Sequence, residues 1–213
     1  EVVITAKALA VSVAEGQAKR VAASRRLEPR RARKVVGARV LLARAARCTA
    51  DAVTAAIDKL GVQAKASIAS VNGPNSIVVA GAEAEVLMVM SELPGQEGKR
   101  LSVSHAFHSP LMMPMAQEFR AVVRVLSESG TTPSIPVVST VTGSVASAEE
   151  LADPEHWVRQ VWSPVLFSGA LEAALDQWPG KASKPCVVLE VGPDPVLSRM
   201  ARPWVGAGRT VAW

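Results

Sequence analysis

At 213 residues, 49% of them hydrophobic, the chain suits a globular protein with one large domain or two small ones. No run approaches the roughly 18 consecutive apolar residues of a membrane span, and no basic-then-apolar leader opens the chain, so no membrane partner and a cytoplasmic location are expected. The net charge of +5 is uneven: residues 1–47 carry twelve Lys/Arg against three Glu, a local +9 that leaves −4 for the rest, and with no aromatic residue to stack on bases this segment reads as solvated surface, with no nucleic-acid partner expected.

From residue 36 the pattern alternates between strands and helices. Residues 36–43 (VGARVLLA) predict a strand. Residues 49–60 predict a helix, with Thr49 as N-cap, Val53, Ala56, Ile57 and Leu60 on one face, and Gly61 as its stop. Residues 66–71 and 76–80 predict two strands joined by a four-residue loop at 72–75. A helix over 82–93 and a strand over 100–104 complete a β-α-β-β-α-β order, the pattern of a ferredoxin-like subdomain.

Residues 110–129 then predict a helix whose Met112, Met115, Phe119, Val122 and Val123 fall at helical spacing, a stripe that reads as core. A short buried strand at 136–140, helices at 154–161 and 167–178, and a strand at 186–191 follow. Continuous apolar strands alternating with helices point to a parallel α/β sheet. Cys48 and Cys186 stand in no metal-type spacing and read as buried or idle thiols of a reducing cytoplasm.

The chain has three histidines, His105, His108 and His156. On the residues alone, a histidine just before a helix reads more readily as structural than as catalytic, and His156 reads as structural. Four stretches add to this: residues 67–81 (SIASVNGPNSIVVAG), 103–115 (VSHAFHSPLMMPM), 157–167 (WVRQVWSPVLF) and 189–200 (LEVGPDPVLSRM). In this order and spacing the chain resembles the acyltransferase domains of type I modular polyketide synthases, and more distantly the malonyl-CoA:acyl-carrier-protein transacylases.

The resemblance implies an α/β fold: an α/β-hydrolase-like large subdomain with a ferredoxin-like small subdomain inserted into it. It divides the chain into a basic, degenerate start of the large subdomain (1–35), the small subdomain (36–104), the C-terminal part of the large subdomain (105–202) and the start of a linker (203–213). It implies transfer of an acyl group from a coenzyme A thioester to a serine, and then to the phosphopantetheine thiol of an acyl carrier protein. Malonyl-CoA is the implied substrate, with no bound cofactor or metal, and the carrier protein and neighbouring synthase domains are the implied partners.

By resemblance, His108 is the base that takes the serine proton, and Gln160, in Arg159-Gln160-Val161-Trp162-Ser163-Pro164, orients it through its main-chain carbonyl. His105 and Phe107, in His-Ala-Phe-His, mark a malonyl pocket in which Phe107 crowds the extra methyl of methylmalonyl. The family's Gly-His-Ser-x-Gly-Glu elbow has as its nearest string Ala10-Val11-Ser12-Val13-Ala14-Glu15, which makes Ser12 the candidate nucleophile with alanines in place of glycines. Arg25, in Val21-Ala22-Ala23-Ser24-Arg25, is the candidate for holding the malonyl carboxylate. The alternative reading is a truncated or sequence-altered remnant of such a domain that has no nucleophilic serine.

Overall fold

The computed structural model describes residues 40–94, 99–101, 105–127, 133–177, 187–191, 195–204 and 210–212. Ser12, Arg25 and Cys186 lie outside the described residues. The architecture is α/β, and the described residues form two larger buried clusters beside a small one of Ala69, Val78 and Ala80.

The first core belongs to a four-stranded sheet made of β1 (Val40–Ala46), β2 (Ala66–Gly73), β3 (Ser76–Ala82) and β4 (Lys99–Leu101), in the order β2-β3-β1-β4 with every neighbour antiparallel. Helices α1 (Ala50–Leu60) and α2 (Glu83–Glu92) cover it. Along β1 the buried Leu41, Ala43 and Ala45 alternate with exposed Arg44, the period-two pattern of a strand with one face in a core. That alternation carries the strand on to Ala46, beyond the expected end at residue 43.

Helix α1 begins and ends as its sequence predicts. The Thr49 side chain accepts from the Ala52 amide at 3.2 Å, and Gly61, at φ 65°, closes the last turn with its N–H on the Asp58 carbonyl. Its Val53, Ala56 and Ile57 pack with Ile77 and Val79 of β3 and with Val86 and Val89 of α2. The hairpin is tighter than expected: β2 runs to Gly73 and β3 starts at Ser76, leaving Pro74 and Asn75 as its tip, with register shifts on the way. The expected strand at 100–104 is described over Lys99–Leu101 only.

A turn of 3₁₀ helix (Pro110–Met112) leads into α3 (Met113–Ser127), which lies against α5 (Pro154–Trp162). Met112 and Val123 are buried, whereas Met115, Phe119 and Val122 are half-buried, so the expected stripe faces a core shallower than its apolar character suggests. Arg120 grips both carboxylate oxygens of Glu155, a two-point bond across the helix pair. The buried strand expected at 136–140 is instead one arm of a small antiparallel hairpin, β5 (Val138–Ser139) with β6 (Ser144–Val145). It turns at Gly143, whose φ of 70° and N–H bond to the Ser139 carbonyl are local features that Thr142-Gly143 encodes.

Helices α4 (Ala148–Ala152), α5 and α6 (Phe167–Asp176) follow, then β7 (Val187–Leu189), α7 (Leu197–Ala201) and β8 (Thr210–Ala212). The second core joins Val165, Phe167, Leu171, Val188 and Ala201. Among the described residues, parallel pairing is confined to β7 with β8 and a single bridge between Ser70 and Val165. Within residues 203–213, Thr210–Ala212 forms β8, and Trp204 bonds Glu172 and lies against Gly73. Among the described residues no helix is long and apolar enough to cross a membrane.

Candidate active site

The loop between β4 and the 3₁₀ turn carries His105, Phe107 and His108. Ser109 is fully buried and donates from Oγ to the Ala106 carbonyl at 2.6 Å, which folds the loop back on itself. His108 sits at φ 60°, in the left-handed region that costs a non-glycine residue about 1 kcal/mol or more. Two main-chain bonds hold it there. Its N–H donates to the Val161 carbonyl at 2.9 Å, and its carbonyl accepts from Ser67 Oγ at 3.1 Å.

The His108 ring is buried, with Nδ1 2.9 Å from the carbonyl oxygen of Ser163. A carbonyl can only accept, so Nδ1 carries the ring proton and the neutral imidazole keeps its lone pair on Nε2. This arrangement prepares a base.

The orienting carbonyl is not that of Gln160, as the resemblance implied, but that of Ser163, three residues on in the same segment. Gln160 lies in the last turn of α5, where main-chain carbonyls point along the helix axis. Ser163 lies just past the helix and before Pro164, which holds it extended at φ −75° and ψ 154°. Its carbonyl has no later turn of helix to serve, and it turns to the imidazole. Gln160 contacts Thr140 Oγ1 through its side-chain amide, at 3.4–3.5 Å.

His105 is exposed and packs edge-on against half-buried Phe107, ring centroids 5.9 Å apart, in the loop just before His108. Among the described residues no group of three His, Cys, Asp or Glu is placed to hold a metal ion. Glu190 is a structural carboxylate: its oxygens accept from the Leu197 and Ser198 amides at 2.9 and 2.8 Å and cap α7.

His156 forms a second polar cluster. Its Nδ1 lies 3.0 Å from Glu150 Oε1 and its Nε2 3.4 Å from Ser139 Oγ, which also accepts the Val141 amide. Ser139 is only 5% exposed, which gives a substrate no approach, so the cluster ties the β5–β6 hairpin and α4 to α5. Burial holds the His156 imidazole below its ordinary value of 6.5. Glu150 and Asp153 pull it upward, and Arg159 adds to the lowering. The folded chain thus binds this proton less readily than the unfolded chain. Stability should be full above pH 6.5 and fall as the pH drops toward the folded value. Denaturant midpoints taken at about pH 7 and about pH 5.5 should differ, and the difference should shrink in His156→Gln.

Sequence reasoning missed the contributions of Ser163, Val161 and Ser67. The Ser163-Pro164 step after a helix was a usable local signal for the first. The other two act through contacts between residues 41 to 53 positions apart, which no spacing reveals.

The family model described as "acyl transferase domain" matches residues 5–205. The chain is 44% identical over 138 residues to the spectinabilin polyketide synthase system protein NorB of Streptomyces orinoci, covering 64% of this chain and 6% of that protein. It is 41% identical over 157 residues to polyketide synthase GfsA of Streptomyces halstedii, covering 71% of this chain and 2% of that protein. The chain thus spans a small fraction of the length of these curated relatives. Among solved structures it is similar to the acyltransferase domain from the second module of the salinomycin polyketide synthase, at 33% identity and TM-score 0.68, over 83% of this chain and 39% of that one. The malonyl-transacylase solved with its type II polyketide synthase acyl-carrier protein is similar in fold, at 23% identity and TM-score 0.69, over 85% of this chain and 57% of that one.

Proposed function

This chain belongs to the acyl transferase domain family of polyketide synthases, and from that premise we propose that it moves a malonyl group from coenzyme A, through a serine ester, to the phosphopantetheine thiol of an acyl carrier protein. The observation that carries this reading is the Nδ1–H bond from His108 to the Ser163 carbonyl, which leaves Nε2 as the basic nitrogen. A serine hydroxyl is a weak nucleophile at neutral pH and needs such a base.

In the first half-reaction Nε2 takes the serine proton as Oγ attacks the thioester carbonyl. The new C–O bond forms, the C–S bond breaks, and Nε2 returns the proton to the departing coenzyme A sulfur. In the second half-reaction Nε2 takes the proton of the carrier's thiol, whose sulfur attacks the serine ester. The C–S bond forms, the C–O bond breaks, and the proton goes back to the serine oxygen. We assign the ester to Ser12 and the malonyl carboxylate to Arg25, on their sequence surroundings alone. The finer architecture belongs to the same proposal: residues 36–104, whose described strands run antiparallel in the order β4-β1-β3-β2, as the ferredoxin-like insert of an α/β-hydrolase-like large subdomain, working beside neighbouring synthase domains.

A malonyl preference follows from Phe107, which immediately precedes the proposed base and whose half-buried ring packs on His105. One methyl group in a pocket is worth about 1–3 kcal/mol. Phe107→Ser should therefore raise the ratio of methylmalonyl to malonyl loading by roughly 10-fold, read by competing the two thioesters and weighing the products.

The alanines at positions 10 and 14 favour a second reading, a domain that keeps the base and lacks the reacting serine, because Cβ atoms crowd a tight elbow. Intact-protein mass spectrometry after incubation with malonyl-CoA separates the two. An adduct that disappears in Ser12→Ala supports transfer. A folded protein that takes up no adduct sinks the transfer reading and leaves the second.

A further inference from the structure

Strand β2 reaches the proposed base from outside its loop. Ser67 Oγ donates to the His108 carbonyl at 3.1 Å, across 41 residues of chain. Two residues on, Ala69 accepts the Val165 amide at 2.9 Å, and Val71 donates to the Val165 carbonyl, also at 2.9 Å. Ser70 Oγ adds a weaker bond to the same carbonyl at 3.3 Å. Val165 follows Ser163 by two residues, and Ser163 supplies the carbonyl that holds Nδ1. One strand therefore grips both sides of the His108–Ser163 bond, the base by its main chain and the orienting carbonyl by its neighbour.

We propose that Ser67 is a positioning residue, which fixes the orientation of the His108 ring by holding the His108 peptide in its left-handed conformation. The physical reason is geometric. A residue at φ 60° relaxes toward negative φ unless its own N–H and carbonyl are both held. Val161 holds the N–H and Ser67 holds the carbonyl. Releasing the carbonyl lets φ of His108 relax toward negative values. Rotation about the N–Cα bond carries Cβ with it while Val161 still holds the N–H, so the ring's Nδ1–H swings off the Ser163 carbonyl. Small errors of this kind cost rate, because a proton must be taken at one defined point. The consequence for the reaction rests on His108 being the base of acyl transfer, but the ring's orientation can be read without it.

The test uses three variants of the whole chain: Ser67→Ala, Ser67→Thr, which keeps the hydroxyl, and His108→Gln, which assigns the His108 signals among the three histidines. Long-range ¹H–¹⁵N NMR of the imidazoles reports the tautomer. Wild type and Ser67→Thr should show His108 protonated on Nδ1, while Ser67→Ala should show a tautomer mixture or exchange broadening. In acyl loading, Ser67→Ala should lower kcat by about 3- to 10-fold with KM unchanged, and Ser67→Thr should restore it. An unchanged His108 tautomer in folded Ser67→Ala overturns the proposal. A wild-type chain that loads no malonyl group, while Ser67→Ala still disturbs the His108 ring, sinks the transfer reading and upholds the role of Ser67.

Discussion

Replacing His108 by asparagine is expected to lower the rate of malonyl loading by about 10²- to 10⁴-fold while the chain stays folded. Asparagine is the informative choice because the position demands it. At φ 60° an alanine pays the left-handed cost with no compensation, whereas asparagine visits that region readily and carries a side-chain amide of its own. The Val161 and Ser67 bonds go to the main chain and survive the change. What is lost is the ring, and with it the nitrogen proposed to accept the serine proton. Single-turnover loading followed by intact mass should show the slow phase, with thioester binding little altered, since the base acts on the reacting atoms and not on the coenzyme. Loading at the wild-type rate would remove His108 from the chemistry and leave its buried, oriented ring without an assigned purpose.

What was legible in advance follows from the range of the interactions concerned. Helix α1 could be placed to the residue because Thr49 and Gly61 encode its ends within three or four positions. The β-α-β-β-α-β order was readable because short apolar strand runs bounded by turn residues alternate with helical patterns: β3 as a run buried from Ile77 to Ala80, β1 with Leu41, Ala43 and Ala45 at period two. The β5–β6 hairpin was not, because two-residue strands carry too little periodicity, and Val137 and Val138 look like the middle of a longer buried run. At the site, the segment that orients His108 was found and the atom was not. Gln160 and Ser163 stand in the same short motif, and the way the His108 loop docks on the end of α5, its N–H on Val161 and its ring on Ser163, decides which carbonyl meets the imidazole. Ser67 was invisible for a different reason. Its contact with His108 spans 41 residues of chain and exists only once β2 is folded against the loop.

That dependence makes the β2–β3 hairpin the place where a single change should do most damage to stability, and Gly81 is its most constrained residue. Gly81 lies in β3 between both neighbouring strands, opposite Leu41 on one side and Ala66 on the other. A Cβ added there would stand 2.1 Å from the Lys65 carbonyl oxygen and 2.7 Å from the Ala66 Cα. Both are main-chain atoms. The Lys65 carbonyl is also fixed by the Ala82 amide at 2.9 Å, so it cannot retreat without breaking a bond of the sheet. Gly73 makes a useful contrast. Its added Cβ would approach the Trp204 ring at 2.8 Å, but that ring is a side chain near the surface and can shift. Gly81→Ala should therefore cost about 3 kcal/mol or more, and Gly73→Ala less. In a chain of this size 3 kcal/mol corresponds to a fall of roughly 6–12 °C in the thermal midpoint, measurable by circular dichroism. Whatever folded Gly81→Ala protein remains should also load malonyl poorly, since displacing Ala66 moves Ser67 and, through it, His108. A thermal midpoint within a degree or two of wild type would show that β2 and Lys65 have more freedom to move than their bonding suggests, and would weaken the case for β2 as the fixed reference against which the base is aligned.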